Sequence, residues 1–89
     1  ERDLSLVLRR SIAEAMVERV IRAAAGPLLE RIRLFDVYQG ENMAMDERSL
    51  AFRLTYRSAD KTLNDEEVEE VHERVRQALK RELGAVLRS

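Results

Sequence analysis

Between Leu50 and Leu83 the apolar residues change their period once, and that change excludes most folds. Leu50, Phe52, Leu54 and Tyr56 alternate with Ala51, Arg53, Thr55 and Arg57, the pattern of a strand with one buried face. Val68, Val71, Val75, Ala78, Leu79 and Leu83 then recur at helical spacing. The helix has matching punctuation: Asn64 as N-cap, Glu67 completing a capping box, Leu63 stapled to Val68 across the first turn, and Gly84 to end it. A strand running into a long amphipathic helix within an 89-residue chain leaves room for one mixed α and β domain, residues 1–89, with a modest core.

The same switch occurs earlier. Leu4, Leu6 and Leu8 share one face of a first strand over Asp3 to Leu8, with Ser5 on the other. Ser11 and Glu14 form a capping box that starts a helix at Ser11, with Ile12, Met16, Val17, Val20, Ile21 and Ala24 as its apolar stripe and Gly26-Pro27 as its stop. A second strand runs from about Glu30 to Tyr38, but its alternation slips: Ile32 and Leu34 have one parity, Phe35 and Val37 the other. A β-bulge at Leu34 or Phe35 reconciles the halves and turns Tyr38 away from the core. Gln39 to Arg48 reads as a hairpin loop, and Ala85 to Arg88 as a short last strand.

The order βαββαβ folds most simply as an α+β, ferredoxin-like sandwich, a four-stranded antiparallel sheet with both helices on one face. The other face is open and carries Asp3, Ser5, Val7, Arg53, Thr55 and Arg57, the natural place to look for a partner.

Residue inventory removes several uses of that fold, which by itself fixes no function. There is no cysteine, hence no disulfide and no thiolate metal pair in the first loop, and the single histidine, His72, builds no metal site alone. No metal or other cofactor is expected. His72 reads as a helix-flank residue rather than a base. Arg9-Arg10-Ser11 lacks the glycine-assisted amide cradle of an acylphosphatase-like site. Phe52 and Tyr56 have core parity, unlike the stacking aromatics of an ordinary RNA-recognition motif. The acidic residues from Asp65 to Glu67 sit where the helix dipole favours them. Met43 and Met45 are either a soft contact surface at the hairpin tip or tuck back over the sheet edge.

Sixteen Lys and Arg against seventeen Asp and Glu leave a formal net charge of -1, so any nucleic-acid site must be local. No apolar run spans a bilayer and no signal-peptide pattern opens the chain, which reads as soluble and cytoplasmic. It begins at Glu1 without a Met, as a piece of a longer protein does.

Arg2-Asp3-Leu4-Ser5-Leu6-Val7, Leu34-Phe35-Asp36-Val37-Tyr38-Gln39-Gly40 and Arg48-Ser49-Leu50-Ala51, with Thr62-Leu63 before the acidic helix start, are similar in order and spacing to one known family. Together they resemble the ferredoxin-fold anticodon-binding domain that closes the β subunit of bacterial phenylalanyl-tRNA synthetase. The resemblance implies a non-catalytic tRNA-binding domain that contacts the anticodon end of tRNA-Phe. Its partners would be the rest of the synthetase β subunit and the α subunit, with the catalytic site elsewhere. By position it carries RNA contact onto Ser5, Tyr38 and Ser49, three residues that face and parity also place on the open side. Arg53 and Arg57 join them as candidate phosphate contacts from face and charge alone. Asp46, Glu47 and Arg48 replace the glycines and Lys often found before Ser-Leu-Ala in the family, bringing two acids near this surface. The competing reading is a protein-interaction or redesigned structural module of the same shape, with the open face packed on a protein. An anion-processing enzyme using Arg9 or Arg10 is a third.

Overall fold

A computed structural model describes residues 1–40 and 43–88. β3 (Glu47–Tyr56) organises the sheet, pairing antiparallel with β1 (Arg2–Arg9) on one side and β2 (Leu29–Tyr38) on the other. β4 (Val86–Leu87) adds to the far edge of β1, so the order is β2-β3-β1-β4. The helices α1 (Glu14–Ala25) and α2 (Asp65–Leu83) complete the expected βαββαβ sandwich.

The core lies between the sheet and the helices. Leu4, Leu6, Leu8, Leu50, Phe52 and Leu54 meet Val17 and Ile21 of α1 and Val71, Val75 and Leu79 of α2. Period-two alternation puts all six sheet residues on one face, and both helical stripes fit over them. Burying the large apolar side chains is worth about 1.5–3 kcal/mol each, the main term holding so small a sandwich together.

Each helix has its own boundary chemistry. At α2 the Asn64 side chain accepts from the Glu67 amide at 2.8 Å, and Glu67 accepts from the Asn64 amide at 3.2 Å, the capping box read from the sequence. Gly84 closes the helix in the left-handed region at φ 66°, its amide donating to the Leu79 and Lys80 carbonyls. The start of α1 differs from expectation. The helix begins at Glu14 with Ala13 as N-cap and no side-chain cap. Ser11 is taken up in a turn, because the Ile12 amide donates to the Arg9 carbonyl and the Ile12 carbonyl accepts from Arg48 Nη2 at 2.9 Å.

The hairpin loop is also shorter than expected. Glu47 and Arg48 already belong to β3, opposite Arg9 and Leu8, and Arg48 points to the helix side, where it clamps the turn before α1. Of the loop methionines, Met45 stands 89% exposed rather than tucked over the sheet. The middle of that loop, at 41 and 42, lies outside the described residues.

β2 carries the bulge that its broken alternation required. Leu34 pairs with Phe52 and Asp36 with Ala51, which leaves Phe35 as the extra residue. A second irregularity, between Leu29 and Arg31, leaves Glu30 without a cross-strand partner. Among the described residues, no helix is long and apolar enough to cross a membrane.

Candidate nucleic-acid interface

The open face is built in cross-strand rows. One row runs Val86, Val7, Ser49, Tyr38 from β4 to β2; the next runs Ser5, Ala51, Asp36; the third runs Asp3, Arg53, Arg33. Neighbouring strands lie about 4.8 Å apart, so each row is a short ladder of side chains on one surface.

Tyr38 stands where the bulge was expected to turn it. It pairs with Ser49 and is 58% exposed, although its spacing from Leu34 would have sent it to the helix side in a regular strand. Its ring lies against the backbone of Gly40, where an added Cβ would collide with the phenol. A glycine at 40 therefore gives the ring its resting place, a contact that the sequence signalled only as a glycine two residues beyond the tyrosine. Ser5 and Ser49 are half-buried; Ser5 lies directly opposite Ala51, and Ser49 lies two residues before Ala51 on β3, diagonal to Ser5. These three small side chains form a shallow floor beside the projecting ring.

Val7 corrects the expected exposure of this face. It has open-face parity but is 7% exposed, because it sits between Val86 and Ser49 on flanking strands. It contributes floor, not contact area.

The two arginines expected at the site are both already engaged, Arg53 on the face and Arg57 just past the end of β3. Arg53 donates from Nε and Nη2 to the two Asp3 carboxylate oxygens at 2.9 and 3.2 Å, a fork-to-fork pair. Those bonds hold the Asp3 carboxyl below its ordinary range and raise the Arg53 guanidinium further. Arg57 reaches Glu30 Oε2 at 2.8 Å from a more exposed position. Arg2 and Asp3 do not pair with each other: Arg2 bridges to Glu69 and Asp65 at the start of α2, while Asp3 serves Arg53.

Register adds cations that the sequence reading missed. Arg31 and Arg33 stand opposite Thr55 and Arg53, and Arg88, two residues beyond the Val86 position, donates its amide to the Ser5 carbonyl. All three side chains are exposed, and none has a carboxylate within 4.0 Å among the described residues. Their alternation with Ile32 and Leu34, ahead of the bulge, is the signal that marks Arg31 and Arg33 as open-face residues. Arg9 opposes Glu47 at the hairpin end, and Arg10 is tied down through its amide to the Asp46 carbonyl and its Nε to the Glu47 carbonyl. Arg10 is thus a strap across the hairpin rather than an anion cradle.

His72 departs from its reading as a helix-flank residue. It is buried, with Nδ1 2.9 Å from the Tyr56 hydroxyl and the rings edge to face at 5.9 Å. Burial pushes its pKa down and that of the Tyr56 phenol up. This pair lies on the core side and has no part in the open face. Among the described residues, no three His, Asp or Glu side chains converge on a point where a metal would sit.

Comparison with known proteins agrees with this architecture. Residues 1–88 match the sequence profile of the ferredoxin-fold anticodon binding domain. The chain is 58% identical over 88 residues to the phenylalanine--tRNA ligase beta subunit of Symbiobacterium thermophilum, covering 99% of this chain and 10% of that protein. It is 48% identical over 89 residues to the corresponding subunit of Synechococcus elongatus, and 44% identical over 88 residues to that of Shouchella clausii, covering 11% of each. The chain therefore spans about a tenth of the length of these relatives. By profile, by whole-chain identity and by its βαββαβ sheet, the chain belongs to the ferredoxin-fold anticodon binding domain family.

Proposed function

We propose that the open sheet face binds the anticodon region of tRNA-Phe, and that the chain works in the cytoplasm as the tRNA-binding end of a synthetase β subunit partnered by an α subunit. The observation that carries this reading is Tyr38: a solvent-facing ring on the open face, resting on Gly40 and standing beside Ser49, with Ser5 farther across the same face on β1. An anticodon base stacks on the phenol, a contact worth about 1–3 kcal/mol per base. The Ser49 hydroxyl meets its edge, with Ser5 farther along the same floor, and small polar side chains read a base without crowding it.

Phosphates are met at the rim. Arg57 exchanges Glu30 for a phosphate at little cost, since an exposed ion pair contributes about 0–1 kcal/mol. Arg53 keeps Asp3 and offers its remaining N–H donors, so it adds less attraction than a free cation. Arg31, Arg33 and Arg88 supply the uncompensated charge. Such a face gives local attraction on a chain of formal net charge -1, with discrimination left to the base contacts.

The test is titration of the 89-residue chain with tRNA-Phe and a non-cognate tRNA across salt, with Tyr38→Ala alongside. Cognate preference is expected, weakened about 10- to 100-fold in the variant. Salt-sensitive binding without cognate preference would reduce the face to a generic polyanion surface. No binding by the wild-type chain would favour a protein partner on this face.

A further inference from the structure

Phe35 is an aromatic side chain left outside the packed core. It is the extra residue of the β2 bulge, lies outside the buried core and its partly buried periphery, and is 44% exposed. The Arg53 guanidinium carbon lies 4.9 Å from its ring centroid. Arg53 is held in turn by its two hydrogen bonds to Asp3, so the guanidinium plane is fixed before any ligand arrives. With its charge largely answered by that carboxylate, the guanidinium is better suited to present a flat face than to anchor a phosphate. The guanidinium is stacked over the exposed ring and leaves its own outer plane to solvent, and such a layered guanidinium and aromatic pair is a surface on which unpaired bases stack.

We propose that Phe35 and Arg53 form a second base-stacking position on the open face, serving a nucleotide of single-stranded RNA next to the one on Tyr38. The proposal rests on the reading of this face as an RNA surface. Phe35 lies three residues before Tyr38 on the same strand, about 10 Å away at the ordinary strand rise, so one base does not cover both. Arg33, directly opposite Arg53, lies at the outer edge of the platform and takes the phosphate of the same nucleotide.

The experiment uses the 89-residue chain and an anticodon stem-loop RNA carrying 2-aminopurine at one loop position at a time, because stacking on an aromatic or guanidinium plane quenches that base. The wild type is expected to quench two positions. Tyr38→Leu should release one of them; Phe35→Leu and Arg53→Lys should each release the other and weaken binding about tenfold. Arg53→Lys keeps the charge and the Asp3 partner but loses the plane, so it separates stacking from phosphate contact. Melting curves of Phe35→Leu, a substitution at an exposed bulge, should stay close to wild type. If Phe35→Leu and Arg53→Lys leave quenching and affinity unchanged while Tyr38→Leu loses both, the second position is overturned and the Tyr38 reading stands. If the wild-type chain does not bind the stem-loop, both fall together.

Discussion

His72 shows how much a single side chain depends on what packs around it. Burial against Tyr56 lowers its pKa, with Arg76 acting in the same direction and Glu69 opposing. A group more acidic when folded than when unfolded binds fewer protons in the native state over the interval between its two pKa values, so stability rises with pH there. Its contribution is full above the unfolded value of about 6.5 and is lost as pH falls from there through the folded value. Thermal unfolding between pH 7 and 5 should therefore show a falling midpoint that His72→Gln largely removes, and NMR titration should place the imidazole below its ordinary value. The Tyr56 hydroxyl that faces Nδ1 stays protonated throughout, so it does not add to the pH dependence.

At the scale of elements, α2 and the start of α1 are punctuated in opposite ways. The boundaries of α2 come from local chemistry: Asn64, Glu67 and Gly84 each satisfy backbone groups within a turn of themselves. Asn64→Ala should cost about 1 kcal/mol, seen as a midpoint lowered by about 4–8 °C for a domain of this size. The start of α1 is not local, although Gly26 ends the helix by its own amide hydrogen bond to the Arg22 carbonyl. Ser11 and Glu14 have the right spacing for a capping box, yet a hydrogen bond from Arg48, distant in sequence, holds the turn before the helix and the box does not form. β2 lies between these cases. Its irregular alternation announced one extra residue, and pairing with β3 identified that residue as Phe35. The bulge then exposes Phe35 and Tyr38 together, which no regular strand of this sequence would do.

For the whole molecule, a single layer of side chains between sheet and helices carries the stability, and Phe52 is its largest fully buried member. Phe52→Ala should cost about 3–5 kcal/mol. Domains of this size have about 5–15 kcal/mol in all, so denaturant titration should find the variant unfolded or close to it. Exposed variants such as Tyr38→Ala should melt near wild type, which separates folding from binding. The sequence by itself determined the element order, the core side of β1 and β3, the caps of α2 and the presence of a bulge before Tyr38. Each follows from backbone period or from a contact within one turn, and such information is local. Tertiary structure alone decided that Asp3 holds Arg53, that Glu30 holds Arg57, that Val7 is covered, that His72 is buried, and that Arg31, Arg33 and Arg88 remain without carboxylates among the described residues. Those outcomes depend on which strands lie side by side, and cross-strand register joins residues such as Asp3 and Arg53 that no short-range pattern connects.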